Sequence, residues 1–296
     1  MISLLVGVLG KDAEGWGTSQ LMEALERRGE SFVFFGFSNL VARVGYPPFV
    51  CMNDVDVGEE LAALIIRPIG RGSLEEIIFR MDLLHSLERH GVLVVNPAGA
   101  IEKCVDKYYA LALLEESGLP VPRTVVTESV ESALKSFHEL GGDLILKPLF
   151  GSRGVGSTRI FDADVAARIF GSVRFHHGVL YLQEFVPHGD SDIRAFVVGD
   201  RVVAAMRRLG NSWKTNVSQG ARPVAIRLDE KLETLAIKAT KVVDCKVAGV
   251  DILESEKGPL IIELNSQPGW RGLQSITQVN IADCIVDYVL SEVRKK

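Results

Sequence analysis

Late in the chain, Asp251, Glu263 and Asn265 sit on two apolar runs, Ala248–Leu253 and Ile261–Asn265, joined by Glu256-Lys257-Gly258-Pro259. Glu263 and Asn265 are two apart, so on a strand they share a face. A hairpin folded about residue 257 brings Asp251 beside Glu263. Two carboxylates in an apolar setting repel one another unless protonated or bridged by a cation. With an amide oxygen they form a hard donor set suited to Mg²⁺, which keeps its other positions for water and phosphate. The competing reading of the same hairpin is a polar stripe facing solvent.

A second cluster is Gly151-Ser152-Arg153-Gly154-Val155-Gly156-Ser157, between two apolar strands. Its glycines let backbone approach a ligand, and successive amides can cradle phosphate. The pattern is not GxxxxGK[ST], and an ordinary flexible hairpin would look the same. Lys147 closes the apolar run Leu144-Ile145-Leu146 just upstream. A lysine there is costly unless it meets an anion or snorkels from a strand edge. Gln183-Glu184-Phe185-Val186 ends a strand before Pro187 and offers backbone groups to a planar ring, or is simply a strand end. Arg194, Arg207, Arg208 and Trp213-Lys214-Thr215-Asn216 put cations and amides near the acidic hairpin. The guanidinium fork suits carboxylate or phosphate, although a basic surface loop is the alternative. Arg271, in the loop after Asn265, is a further carrier for a substrate carboxylate. Lys107 by itself reads as a solvated helix charge.

The elements that must position these groups follow from the pattern. Residues 2–9, 31–37, 61–67 and 92–96 read as strands, with helices over 18–29 and 73–90 between them. That alternation predicts a small parallel α/β layer. Its first loop lacks GxGxxG, so a nicotinamide site has little support. Beyond Pro97 come a helix over 100–117, a strand over 123–127, a helix over 129–140 and a strand over 144–148. A helix near 163–170 and a strand over 180–186 follow. Antiparallel patterns then dominate, with 193–198 and 202–208 joined by Gly199-Asp200, a hairpin signal. Helices over 229–244 and 279–293 flank the acidic hairpin.

The chain has 296 residues, room for about two or three units. It is 47% hydrophobic and 24% charged, which is globular, and its net charge of −5 argues against general nucleic-acid binding. Four scattered cysteines without a CxxC pair argue against zinc and for reduced thiols in a cytosolic protein. No apolar run reaches about 18 residues, so no membrane span is expected. No HExxH and no GxSxG occur, which removes support for zinc-peptidase or serine-hydrolase chemistry.

Taken in order, these segments resemble the ATP-grasp superfamily, and within it the branch of ribosomal-protein-S6-modification-like α-L-glutamate ligases. The resemblance is carried by Val105-Asp106-Lys107-Tyr108, Leu146-Lys147-Pro148 with the glycine run, Gln183-Glu184-Phe185, Asp192-Ile193-Arg194-Ala195-Phe196, Ala248-Gly249-Val250-Asp251, and Glu263-Leu264-Asn265-Ser266-Gln267-Pro268-Gly269. It implies a mixed α/β and α+β fold of three domains: a parallel α/β domain over 1–98, a central lobe with a glycine-rich lid over 99–186, and a C-terminal lobe with a metal site over 187–296. ATP would lie between the last two. Lys107 and Lys147 would meet its phosphates, under a lid carrying Gly151, Ser152, Gly154 and Gly156. Gln183, Glu184, Phe185 and Val186 would line the adenine, and Asp192 would look toward the ribose. Asp251, Glu263 and Asn265 would hold Mg²⁺ or Mn²⁺, two ions in all. Lys214 and Asn216 stand where relatives carry an arginine and an asparagine near the reacting carboxylate. Arg194 and Arg208 are the candidates to steady a tetrahedral intermediate.

The activity implied is ATP-dependent ligation of L-glutamate to an acceptor carboxylate through an acyl phosphate. Arg71-Gly72-Ser73-Leu74-Glu75-Glu76, Arg80-Met81-Asp82 and Pro120-Val121-Pro122-Arg123 look similar to archaeal ligases that act on the pterin tetrahydromethanopterin. Sister groups act on coenzyme F420, ribosomal-protein tails or carrier proteins. A protein that binds ATP without turnover, or one that stops at phosphoryl transfer, is the remaining alternative. Members of the branch are often homo-oligomers, although no exposed heptad argues for that here.

Overall fold

The computed structural model describes residues 4–53, 55–151 and 154–295. The N-terminal unit begins with β1 (Leu5–Leu9), α1 (Trp16–Arg27) and β2 (Ser31–Phe35). A small antiparallel sheet of β3 (Leu40–Ala42), β4 (Val50–Met52) and β5 (Val55–Asp56) follows, then α2 (Val57–Glu60), β6 (Ala63–Ile66), α3 (Leu74–Arg89) and β7 (Leu93–Val95). The main sheet is parallel in the order β2-β1-β6-β7. Its central strands are buried on both faces, which is why they read as unbroken apolar runs. Ser73 starts α3 with a reciprocal capping box to Glu76, and His90 and Gly91 (φ 93°) stop it. The three short strands of residues 40–56 have no counterpart in the sequence expectation. Strands of two or three residues do not establish a period.

The single helix expected over 100–117 is two: α4 (Ala98–Val105) and α5 (Lys107–Glu116). Asp106 leaves helical geometry (φ −87°, ψ 102°) and its carboxylate accepts from the amides of Tyr108 and Tyr109. An aspartate that caps the next turn competes with helix continuation. The break makes Lys107 the first residue of α5 and redirects its side chain.

The middle unit continues with β8 (Thr124–Thr127), α6 (Val130–Glu139), β9 (Leu144–Lys147), β10 (Thr158–Ile160), α7 (Ala163–Phe175) and β11 (Leu180–Glu184). Its antiparallel sheet has the order β10-β9-β11-β8 and packs α6 and α7 over Leu144, Ile160, Phe170 and Leu182. The last unit has β12 (Ser191–Val198), β13 (Arg201–Leu209), β14 (Arg222–Ile226), α8 (Glu230–Val243), β15 (Val247–Ser255), β16 (Gly258–Asn265), α9 (Arg271–Gln274) and α10 (Ile281–Val293). Its sheet order is β14-β13-β12-β15-β16. The Gly199-Asp200 hairpin forms as its sequence suggests, while β14 was not anticipated because Pro223 interrupts its pattern.

One face of this sheet, with Ile193, Ala195, Val197, Val250 and Ile252, packs on α8. The other face is divided. Phe196, Val198 and Met206 join Leu21, Leu25, Trp270, Ile285 and Val289 in a core shared with α1 and α10. The remainder carries charge. Thus α10 returns to the N-terminal unit, where Arg28 also bonds Asp287 at 2.5 Å and Asp283 at 2.9 Å. Cys104 and Cys245, far apart in sequence, meet as free buried thiols with sulfurs 3.4 Å apart.

Asn96 ties the units together. Its Nδ2 donates to the carbonyls of Val247 (2.6 Å) and Ser266, and its Oδ1 accepts from Lys246 N (2.7 Å) and Val247 N (2.8 Å). All of this is buried. Asn96→Ala leaves these backbone groups unpaired away from water. The expected loss is about 2–4 kcal/mol, read as a lower urea midpoint by tryptophan fluorescence. An unchanged midpoint would show that the junction repairs itself.

Candidate active site

The acidic hairpin forms with Asp251 directly opposite Glu263. The alignment depends on an irregularity. From Ser255 to Ile252 the partners follow one register, and between Asp251 and Ile252 it shifts by one residue. Without that bulge Asp251 would face Ile262, because one residue of slip exchanges the two faces of a strand.

Pairing carries the polar row across the sheet. Asp251 also faces Arg194 on β12, and Asp192, two residues earlier, faces Arg208 on β13. Arg208, Asp192, Arg194, Asp251 and Glu263 therefore share one face of four consecutive strands. Arg194 Nε and an amino nitrogen donate to the two oxygens of Asp251 at 2.6 and 2.7 Å. Arg208 forks onto Asp192, with Nε to Oδ1 at 2.6 Å, and its other arm also reaches Asp251 Oδ2 at 3.0 Å. Asp192, Arg208 and Asp251 are each only 2–3% exposed. Burial works against ionising Asp251, but Arg194 and Arg208 outweigh it and hold its carboxyl below the usual range. At Asp192 burial prevails over Arg208 and raises the carboxyl. Arg208, between two carboxylates, is pushed further up despite its burial.

The row opens into a cleft of about 840 Å³ between the middle and last units. Lys107 Nζ, at the start of α5, donates to the Gly151 carbonyl at 2.7 Å and lies 3.7 Å from Glu263. It is tied to the glycine-rich loop and to β16 at once and is not the solvated charge its local sequence suggests. Lys147 donates to Gln183 Oε1 at 2.5 Å. Gln183 is buried, and its amide nitrogen donates to Thr124 at 3.0 Å. Burial lowers the Lys147 ammonium to about 8; Glu263 opposes this, Lys107 adds to it and Asp251 opposes it.

Gly154, at φ 68°, brings the lid against the Asn216 loop. A Cβ there would lie 2.4 Å from the Asn216 side-chain oxygen, so that approach requires glycine. Lys214 and Asn216 line the cleft, and the Lys214 ammonium lies over Trp213 at 5.1 Å. Glu184 and Val186 also line it. Ser152, expected on the lid, lies outside the described residues.

Several expected positions differ. Asp192, expected at a ribose, has both oxygens on Arg208 and is buried, so it positions that arginine. Phe185 does not line the cleft; its ring stacks under Arg159 at 3.4 Å. Gly156, Arg194 and Asn265 are also off the lining, although Arg194 and Asn265 continue the row at its far end. Arg271, read as a carboxylate holder, lies 6.0 Å from the Trp16 ring. Sequence reasoning missed Pro122, Ile145, His188 and Leu253 as cleft residues. Trp213 and Thr215, named only as part of the basic loop, also line it.

Among the described residues no three acids, histidines or cysteines converge. Mg²⁺ commonly needs only one or two carboxylates besides substrate phosphates. Among the described residues Glu263 has only Lys107, at 3.7 Å, as an ion-pair partner. Its carboxylate and the side-chain oxygen of Asn265 are donors of the kind the ion takes, whereas the buried, unpartnered Nδ2 of Asn265 is not. Asp251, expected as an equal third ligand, is the counter-ion of two arginines. It has only its remaining lone pairs to offer.

The three units with a cleft between the last two define an ATP-grasp fold. The solved ATP-grasp ligase PsnB, in complex with a phosphomimetic variant of its minimal precursor, Mg and ADP, superposes with a TM-score of 0.77. It covers 99% of both chains at 22% identity, which speaks to the fold alone. Residues 104–289 match the family model described as the RimK-like ATP-grasp domain. The tetrahydromethanopterin:α-L-glutamate ligase of Methanococcus maripaludis is 34% identical over 291 residues, 97% of this chain and 98% of that one. The enzyme of the same name from Methanocaldococcus jannaschii is 37% identical over 243 residues, 80% of this chain and 81% of the other. The chain belongs to the RimK-like ATP-grasp family.

Replacing Arg208 alone by leucine leaves Asp192 and Asp251 buried with one arginine between them. The expected loss near neutral pH is about 3–5 kcal/mol, measured by urea unfolding. The depressed carboxyl of Asp251 stabilises the native protein above its unfolded value, and that contribution is lost as pH falls through the folded one. The gap between native and variant should therefore narrow on acidification. A gap independent of pH would mean that lost packing, not stranded charge, causes the defect.

Proposed function

We propose that this chain is an ATP-dependent carboxylate–amine ligase that joins L-glutamate to an acidic acceptor, a pterin of the tetrahydromethanopterin type. A carboxylate is a poor electrophile, since it is anionic and its oxygen leaves badly. Transfer of the γ-phosphoryl group of ATP to it gives an acyl phosphate and ADP. The glutamate amine then attacks the acyl carbon and expels phosphate. Such transfer needs positioning and charge neutralisation, not a protein nucleophile.

The observation that carries the reading is the charged row of the last sheet, open to a cleft with an excess of cations. Lys107, Lys147, Arg208 and Lys214 line it with Asp192, Asp251, Glu263 and Glu184, and because Glu184 is paired with Arg123 outside the lining the cations lead by one. A triphosphate supplies the missing negative charge. In this proposal Lys107 and Lys147 hold its phosphates beneath Gly151, Gly154 and Gly156, and Glu184 and Val186 flank the adenine. Glu263 and Asn265 would hold Mg²⁺ or Mn²⁺ with a share from Asp251. A bound ion of this kind neutralises phosphate charge. Arg194, aligned by Asp251, and Arg208, aligned by Asp192, face the developing oxyanion, with Lys214 and Asn216 closing the opposite side. Lysine at 214 keeps a point charge without the bidentate fork of arginine. The pterin is supported by relatives of that name aligning over 97% and 80% of the chain. This reading carries with it a cytoplasmic location.

The test is incubation with ATP, Mg²⁺, L-glutamate and tetrahydromethanopterin, with coenzyme F420 and a glutamate-ended peptide alongside. Expected is glutamate-dependent release of ADP and phosphate, with a glutamyl unit added to the pterin by mass. Release without glutamate would make the protein a kinase, and no release with any acceptor would remove the ligase reading. Glu263→Ala should lower turnover by about 10²–10³-fold without moving the urea midpoint. Full activity in that variant contradicts the metal assignment.

Lys147 adds a pH signature. Its lowered value means the free protein binds fewer protons than the unfolded chain between about 8 and its ordinary value, so stability of the free protein rises across that window. A phosphate beside it restores the charge. Nucleotide binding at about pH 8.5 should therefore take up protons, and affinity should fall as pH rises through this range. Calorimetry in two buffers of different ionisation enthalpy measures the uptake. Equal heats in both buffers would separate Lys147 from the phosphates.

A further inference from the structure

We propose that a second crevice, between the N-terminal sheet and the Ser266–Trp270 loop, is an anion subsite built on Arg67 that holds an acidic group of the acceptor other than the carboxyl being activated. This rests on the ligase reading for the identity of the ligand, not for the existence of the site. The crevice is narrow, with room for about one water, so the acid meets Arg67 at its mouth; it shares no lining residue with the nucleotide cleft.

Its position follows from topology. The chain runs from β1 outward to β2, then crosses to β6 and β7 on the other side. Ligands of parallel α/β sheets bind beyond the carboxyl ends of strands at such a reversal. Arg67 directly follows β6 at that place. Its amide donates to the Leu9 carbonyl at 2.8 Å, and its carbonyl accepts from Gln267 Nε2 at 3.2 Å. Its backbone is therefore fixed from both units.

Its guanidinium lacks a matching acid. No carboxylate lies within ion-pair distance among the described residues, and the group packs 4.6 Å from the Trp270 ring centroid. Burial lowers it to about 10. It also presses on the first turn of α1, where a Cβ on Gly17 would come within 2.9 Å of its amino nitrogen. That end of a helix carries partial positive charge and repels a cation. α1 has no acid in its first turn and no side-chain cap at Gly15, although the Asp12 carboxylate lies close to Gly15. Trp270, itself 2% exposed, walls the crevice, and among the described residues its buried indole N–H has no acceptor. Guanidinium and indole N–H are both donors, so the missing partner is an acceptor with negative charge.

The route to the reaction centre is short in sequence and in space. Ser266, Gln267 and Pro268 continue β16 directly from Asn265. A Cβ placed on Gly249 would touch Pro268 at 3.2 Å and Arg194 Nε at 3.6 Å, so that loop and the far end of the charged row share a floor. A molecule with one carboxyl at Arg194 and a second acid at Arg67 spans the Pro268 loop. The second acid is a carboxylate or a phosphoester.

The three tryptophans give a direct readout. Inorganic phosphate and glutarate are titrated separately into the ¹⁵N-labelled full chain while indole N–H signals are followed. The Trp270 signal is identified by its loss in Trp270→Phe. Expected is a saturable shift of that signal with at least one anion, abolished in Arg67→Gln. The Trp213 signal of that variant still responds to ADP, which reports an intact nucleotide cleft. A shift with phosphate alone assigns a phosphoester, and one with glutarate alone assigns a carboxylate. No saturable shift with either anion, or an equal shift in Arg67→Gln, overturns the proposal. In turnover, Arg67→Gln should raise the KM for the acceptor about 10–100-fold and leave the KM for ATP unchanged, with partial recovery in Arg67→Lys. If no acceptor is turned over, the ligase reading has failed and the spectra still decide the subsite.

Discussion

Two buried aspartates and two arginines locked together on one sheet face are the constraint around which the rest of the molecule is arranged. Placing Asp192, Asp251 and Arg208 out of water is costly, and their mutual attraction repays it only when geometry and hydrogen bonding are complete. Completion requires β12, β13 and β15 in one register, because each partner is a direct cross-strand neighbour. It also requires the irregularity at Asp251/Ile252, which turns Glu263 toward the row. The apolar face beneath, packed on α8, holds that register at low energetic cost. The charged face could not select it alone.

The lobes are joined by polar side chains whose hydrogen bonds are nearly all used. Gln183 holds Lys147 with its oxygen and Thr124 with its nitrogen. Lys107 connects the start of α5 to the lid and to Glu263. Asn96 bonds both ends of the hairpin that carries the acids. The Gln183 contacts brace the middle sheet from within, whereas those of Lys107 and Asn96 cross between units that hydrophobic burial alone would leave free to slide. A fully satisfied buried polar network specifies relative position more sharply than an apolar interface of similar area.

Much of this was legible in sequence where periodicity is strong. The parallel layer, the Gly199-Asp200 hairpin and the juxtaposition of Asp251 with Glu263 all follow from alternation and turn chemistry, and the order of motifs points to the family. What escaped was decided by local competition or by tertiary contact. Asp106 sits in a run that reads as helix, yet its carboxylate caps the following turn and splits α4 from α5. Pro223 hides β14, and the two- and three-residue strands of 40–56 are too short to show a period. Asp192 has the residue type of a ribose ligand, but its pairing with Arg208 depends on β13, far enough along the chain that spacing does not disclose it. Arg67 has no local signal at all; its lack of an acid becomes visible only when Trp270 and Gly17 are placed around it.

The balance of charge also orders events at the site. With cations in excess and Lys147 already drawn toward neutrality, the cleft without nucleotide bears an electrostatic cost that a polyanion removes. Binding energy for a triphosphate is therefore partly relief of strain present beforehand, and it is largest where solvent is most excluded, at Lys147. The same relief does not extend to the acceptor, whose single carboxylate meets arginines already neutralised by Asp192 and Asp251. An acceptor held only there would gain little, because each fork is occupied by its own aspartate. Selectivity for it must come from contacts elsewhere, and the crevice at Arg67 offers a guanidinium with no carboxylate beside it among the described residues. Activation and recognition are thereby divided between the last sheet, which any ligand of this chemistry requires, and the N-terminal sheet, which is free to differ with the acceptor.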